Sequence, residues 1–315
     1  MLLLCCLALF PLPVILLGQD YLLTLGTRIL IYGLAAASLD LILGYGGMVS
    51  LGHAAFLGVG GYTVGILAFC GYEGRDLLSW PLALPGTENG LLVWPLAVAL
   101  AMGFAALTGA VSLRTRGMHF IMITLAFAQM VYFFFSSLDS YGGSDGISLY
   151  GRNHLPLLDT GSDLQFYYLC LFCLGIFLGG GHRLVRSRFG RILQGCRQNE
   201  LRLQVMGVAT FRHRLLAYVL AGGAAGLAGV LLANQGEFVG PGMIHWTRSG
   251  EILVMVLLGG MGTLVGPVLG AATLLTLEEY LAMYTEHWMV FLGPFLILVV
   301  LFGRQGIYGM FHRSR

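Results

Sequence analysis

The sequence has 315 residues, of which 57% are hydrophobic and 10% charged, with a formal net charge of +2. Soluble domains carry about 25% charged residues, so a soluble enzyme or a nucleic-acid-binding protein is excluded. Long apolar runs recur from end to end, which marks one polytopic, all-α membrane domain over 1–315.

Residues 1–18 (MLLLCCLALFPLPVILLG) lack a basic leader and a small-x-small cleavage pattern, so they read as a first membrane helix rather than a signal peptide. A second span covers 28–46 and carries Asp40 near its far end. An ionisable group there is either functional or bonded to helix-end backbone at the interface. Residues 44–65 (GYGGMVSLGHAAFLGVGGYTVG) are too apolar for a loop and too rich in glycine for an unbroken helix. They predict a discontinuous helix that unwinds near 44–52 and then continues to about Cys70. Residues 71–90 carry Glu73, Asp76 and Glu88 against Arg75, a net charge of −2, and predict a non-cytoplasmic loop.

Spans at 91–113 and 117–138 are joined by the basic turn Arg114-Thr115-Arg116, which places that turn in the cytoplasm. Residues 139–164 hold Asp139, Asp145, Asp159 and Asp163 against Arg152, a net −3, and predict a second external loop. A span at 165–181 leads to the longest polar interruption, 182–214. This stretch holds eight of the seventeen basic residues and one acid, Glu200. Within it Phe189, Ile192, Leu193 and Cys196 recur at helical spacing, and Glu200, Leu203 and Gly207 extend the stripe. Gly207 is placed to end that helix. A loop needs an apolar face only if it docks on something, so 182–214 predicts a cytoplasmic docking element.

The span 215–233 has a small-residue run, AGGAAGLAG, suited to close helix contact. Residues 251–281 divide into two short spans at Gly259-Gly260-Met261-Gly262, and a last span covers 288–302 before the basic tail Arg304, Arg313 and Arg315. The charge pattern then gives about ten membrane helices with both termini cytoplasmic. GGMVSLGHAAFLG (46–58) echoes GGMGTLVGPVLGA (259–271), as expected of a transport fold built on an internal repeat with a pathway at the repeat interface. Gly46, Gly47, Met48, Ser50, His53, Gly259, Gly260 and Gly262 are the residues this pattern assigns to a pathway.

Other chemistry fares worse. Ser50 and His53 share a helical face, but Met48 breaks a Gly-x-Ser-x-Gly elbow and no acid orients the histidine, so a membrane hydrolase is disfavoured and no catalytic residue is assigned. Cys170-x-x-Cys173 lies inside an apolar run without a His or acidic co-ligand, so no metal site is assigned. There is no lysine and hence no phosphate-binding P-loop; any ATP would be bound by another subunit, and this chain needs no cofactor. Glu251, Glu278 and Glu279 read as interface residues rather than a proton relay. A secondary transporter driven by an ion gradient stands as the alternative from a different class.

The segments LGYGGMVSLGHAAFLGVGGYT (43–63), LRTRGMHFIMITLAFAQM (113–130), GGSDGI (142–147), SRFGRILQGCRQNELRLQVMGV (187–208) and VLLGGMGTLVGPVLGA (256–271) resemble the permeases of bacterial branched-chain amino acid ABC importers, most nearly the M-type subunit. The resemblance runs from about residue 28 to 303. It implies an inner-membrane permease for branched-chain amino acids, with urea or short-chain amides as the alternative cargo. It also implies a related second permease subunit, two cytoplasmic ATPases and a periplasmic binding protein as partners. The loop around Glu200, Leu203 and Gly207 would be the coupling helix that meets an ATPase; Arg202 and Leu203 stand where that family commonly has small residues.

Overall fold

The computed structural model describes residues 2–11, 14, 20–74, 86–87, 89–156, 160–284, 287, 290, 293–294 and 306–312. Most of the loop predicted at 71–90, most of the span predicted at 288–302, Asp159 and the three arginines of the basic tail lie outside the described residues.

In chain order the helices are α1 (Leu2–Leu9), α2 (Asp20–Asp40), α3 (His53–Glu73), α4 (Gly90–Ser112), α5 (Met118–Ser136), α6 (Asp163–Arg186), α7 (Arg188–Val205), α8 (Thr210–Gly236), α9 (Trp246–Gly259), α10 (Gly266–Tyr284) and α11 (Gly306–His312). Six of the described helices are long and apolar enough to span a bilayer: α2 with its extension to Tyr45, then α3, α4, α5, α6 and α8. The pair α9 and α10 is shorter and separated by the second glycine cluster, as the sequence anticipates. A two-residue ribbon, β1 (Ile147–Ser148) on β2 (Phe238–Val239), ties the acidic 139–164 segment to the chain beyond α8.

Glycine and alanine decide which helices sit at the centre. Lipid is as apolar as leucine, so helices associate in it through close packing rather than hydrophobic exclusion. On α8, Gly226 faces Ala101 of α4 and Gly229 faces the Leu57 carbonyl of α3; a Cβ at either position would collide with that neighbour. Gly60 of α3 lies against the Gly226 carbonyl in the same way. So α3 and α8 meet backbone to backbone, and α4 lays the methyl groups of Ala101 and Ala105 against the α8 glycines. In contrast, α4 and α5 turn most of their surface outward, with only 28% and 22% of their windows buried, against 83% for α2. A largely apolar groove of about 570 Å³ runs along that outward side between Val59, Leu100, Phe104 and Phe134, where lipid tails would lie.

One end of the bundle is rich in arginine: the α4–α5 turn with Arg114 and Arg116, the end of α6, all of α7 and the start of α8. At the opposite end Arg152 pairs with Asp163 and Glu237, and its guanidinium lies 4.8 Å over the Phe166 ring. The Asn234 side chain accepts from the Asn153 backbone N–H there at 2.7 Å, which pins the 139–164 segment to α8.

Candidate functional site

Two breaks in helical structure meet at the arginine-rich end. After Asp40 the chain widens into a π turn, Leu41–Tyr45, then runs without regular structure until α3 starts at His53. The second break follows α9, where Gly260 (φ 112°) and Gly262 (φ 81°) adopt backbone conformations that an L side chain resists. The two breaks touch. The Asp40 Oδ1 accepts a hydrogen bond from the Gly262 N–H at 2.7 Å, and the Tyr45 hydroxyl accepts from the Leu264 N–H at 3.4 Å. Any side chain on Gly44 would collide with the Asp40 carboxylate and the Gly262 backbone. Asp40 is therefore fully buried and bonded to helix-end backbone.

The backbone donors freed by the first break are taken up by side chains of α5, of α9 and of the break itself. The Thr124 hydroxyl of α5 accepts from the Leu51 N–H at 3.3 Å, Ser50 Oγ accepts from the Gly52 N–H at 3.2 Å, and Ser249 Oγ of α9 accepts from the Ala54 N–H at 3.0 Å. This satisfies the otherwise unpaired donors of an α-helix start, which a membrane interior requires. Ser50 and His53 do not pair with each other. Ser38 Oγ donates to the Ala35 carbonyl at 2.7 Å and lies within hydrogen-bond distance, 2.8 Å, of His53 Nε2. The ring stands edge-on to Phe56. Both residues are fully buried.

Beside the touching breaks lies a polar cavity of about 440 Å³, lined by Gly44, Tyr45, Met261 and Gly262 and by Gln194, Arg197 and Gln198 of α7. Of the residues the sequence assigned to a pathway, Gly262 lines it. Gly47 (φ 67°) packs against the Arg197 stem, and Gly46 lies beside Met48 and Leu193. Met48 is buried; its sulfur accepts from Arg214 Nε at 3.4 Å. Gly259 packs on the Gly266 backbone and Gly260 on Gly306.

The predicted docking stretch is folded throughout. Ser187 caps α7, and a kink at Asn199 (φ −158°, ψ 96°) divides it in two. Asn199 Oδ1 accepts from the Arg202 N–H at 3.1 Å, so the kink residue caps the second piece. That piece ends as the sequence predicted, with Gly207 in the left-handed region (φ 80°). The Gly207 N–H donates to Gln204 at 2.9 Å and the Val208 N–H to Leu203 at 3.1 Å, a Schellman ending.

Glu200 holds this short helix from below. It accepts from Arg214 Nη1 at 3.1 Å and Thr210 Oγ1 at 3.2 Å, both on α8, and pairs with Arg116 Nε of the α4–α5 turn at 3.3 Å. Leu203 folds back over Gly195, and Leu193 and Cys196 are buried. Burial pushes the Cys196 thiol up from its ordinary value; Glu200 adds to this and Arg214 opposes it. The predicted stripe thus faces the protein's own body. The opposite face is uncovered: Leu201 is 63% exposed, Val205 90% and Met206 70%. Sequence reasoning missed this face, along with Arg197, Arg116, Ser38, Thr124 and Ser249. The one local clue was Asn199, a good cap residue at the start of the second piece.

Comparison with known proteins agrees with this architecture. The family described as "Branched-chain amino acid transport system / permease component" matches residues 21–300, most of the chain. The chain belongs to this family. The permease is similar to the high-affinity branched-chain amino acid transport system permease protein LivM of Escherichia coli (strain K12), with 27% identity over 313 residues, covering 91% of this chain and 69% of that protein. LivM of Salmonella typhimurium is 28% identical with the same coverage. The autoinducer 2 import system permease LsrC of Klebsiella pneumoniae shares 35% identity over a shorter stretch, 41% of this chain and 39% of that one. No solved structure matches the permease.

Proposed function

We propose that this permease carries branched-chain aliphatic amino acids inward across a bacterial inner membrane, driven by ATP hydrolysed on separate subunits. Urea and short-chain amides are the alternative cargo that relatives of this resemblance would suggest; the LivM relatives favour the amino acids. The arginine-rich end is cytoplasmic by the positive-inside rule, and both termini would lie in the cytoplasm. The full assembly would contain this chain, a related permease subunit, two ATPases and a periplasmic binding protein that selects the cargo. This chain would need no cofactor of its own.

The observation that carries this reading is the exposed apolar face of the helix after Asn199. Leu201, Val205 and Met206 project from a helix capped at both ends and tied down by Glu200. A short amphipathic helix offered in this way fits a groove on a partner. Fully burying an aliphatic side chain contributes about 1.5–3 kcal/mol, so covering the exposed fractions of these three contributes about 3–7 kcal/mol before the costs of association. Val205→Glu replaces the most exposed of them with a charge. It is expected to insert in the membrane normally but to lose co-purification with the ATPase subunits. Undiminished co-purification would refute docking at this face. Uptake by this chain alone under an ion gradient would favour a secondary transporter instead.

The two touching breaks are the proposed pathway element. Irregular backbone is tolerated at membrane depth only where it is buried in protein or lines a wet cavity, and the 440 Å³ polar cavity supplies such a place.

A further inference from the structure

We propose that Arg197 transmits movement of the docking helix to both glycine breaks, and so couples ATP-driven motion to opening of the pathway at the cytoplasmic end. The proposal rests on the docking face described above and adds a residue that lies outside it.

Arg197 sits two residues before the Asn199 kink, in the first piece of α7, while the docking face belongs to the second piece. From there its Nη1 donates to the carbonyl of Gly44. Gly44 belongs to the π turn, where the α-helical ladder is interrupted and a carbonyl is open to an outside donor. The arginine stem lies directly on Gly47. An added Cβ there would come within 2.8 Å of Arg197 Cγ, and the φ of 67° already favours glycine. So the first break is fitted to this side chain at two points, one polar and one steric.

The first break is in turn joined to the second. Gly44 has no room for a side chain because the Gly262 backbone occupies it, and Asp40, at the head of the π turn, accepts from the Gly262 N–H. A pull on Gly44 therefore reaches Gly262 without any further part. The cavity between them, lined also by Gln194 and Gln198, gives the side chain polar room in which to swing. The second piece of α7 reaches the same break less directly, through Glu200 to Arg214 and on to the Met48 side chain. Arg197 hydrogen-bonds the π-turn backbone itself. Its planar head has five donors, so it can keep the Gly44 bond through a wider change of angle than a lysine ammonium, which could still make the bond.

A purely structural role predicts something different. Arg197 is an exposed side chain, and surface substitutions usually change stability by about 0.5 kcal/mol or less. Arg197→Ala should therefore insert and bind the ATPases. The test uses the complete transporter in proteoliposomes, with leucine as the cargo, and reads leucine taken up per ATP hydrolysed. Arg197→Ala is expected to keep the ATPases bound and hydrolysing but to lower that ratio about tenfold, a typical coupling loss. Arg197→Lys is expected to restore part of it. Gly47→Ala keeps the arginine but drives a methyl group against its stem, and is expected to lower the same ratio.

A wild-type ratio in Arg197→Ala or in Gly47→Ala would overturn the proposal. So would an Arg197→Lys variant no better than Arg197→Ala. Loss of the ATPases from Arg197→Ala would also overturn it, by making Arg197 a docking residue. Failure of the docking reading itself shows separately, as ATPase retention by Val205→Glu.

Discussion

Glu200→Gln isolates the tie beneath the docking helix. The change keeps the shape and one acceptor oxygen but removes the charge shared by Arg214 and Arg116. The Arg214 and Glu200 side chains are 11% and 16% exposed. Removing one partner of a buried pair costs about 3–5 kcal/mol. The site lies at the rim of the bundle, so the lower end applies, about 3 kcal/mol by that same reasoning. The Arg116 side chain is 56% exposed, so its share is small, about 0–1 kcal/mol. Since 1.4 kcal/mol is a factor of ten, the second piece of α7 should detach about 100-fold more often.

Cys196 reports that detachment because it is buried one turn before Glu200 and close enough to Glu200 and Arg214 to feel both charges. A water-soluble thiol reagent should label it faster in the variant. Losing the Glu200 charge also lowers the thiol's raised pKa, since that charge helps to raise it. That effect shifts the pH profile of labelling toward lower pH without raising its high-pH plateau; detachment raises the rate at every pH. An unchanged plateau would refute the tie.

Two further outcomes follow from the packing. Gly229→Ala places a methyl group against the Leu57 carbonyl. Overpacking of this kind costs about 1–3 kcal/mol, and the purified permease should melt at a lower temperature. Gly103→Ala on α4 meets nothing within 4 Å and should melt no lower than the wild type; equal losses in both would refute backbone contact as the cause. Asp40→Asn retains an oxygen that accepts from Gly262, whereas Asp40→Leu does not. The asparagine variant should fold and transport and the leucine variant should not, as read by expression level and leucine uptake; loss of uptake in a folded Asp40→Asn would assign the charge itself to transport.

The spans were legible because hydropathy over about twenty residues is a strong local signal. So were both breaks, since glycine clusters in apolar runs leave little else to expect, and so was the end of the docking helix at Gly207. What the sequence hid was direction. An amphipathic helix of two turns with apolar residues on both faces does not reveal which face its own protein covers. Leu193, Cys196 and Leu203 proved to be the inward set, and Leu201, Val205 and Met206 the outward one. The partners of Glu200 were equally hidden, because Arg116 lies on a separate turn and nothing local in either segment points to the other. Ser50 and His53 looked like one site because they are near in sequence. Their partners differ: His53 bonds Ser38 of α2, while Ser50 takes the N–H of nearby Gly52.

The glycine and alanine seam on α8 bears on how the molecule divides its labour. Where helices pack this closely, they cannot slide or roll without a clash, so α3, α4 and α8 behave as a single stiff frame. Helix α5 turns most of its surface away from that frame and meets the first break at one residue, Thr124, whose hydroxyl accepts from Leu51 and whose backbone lies against Gly52. The bundle is therefore built as a stator with a lightly attached outer helix, and distances measured within α3, α4 and α8 should stay constant through a transport cycle while those from α5 to the first break change.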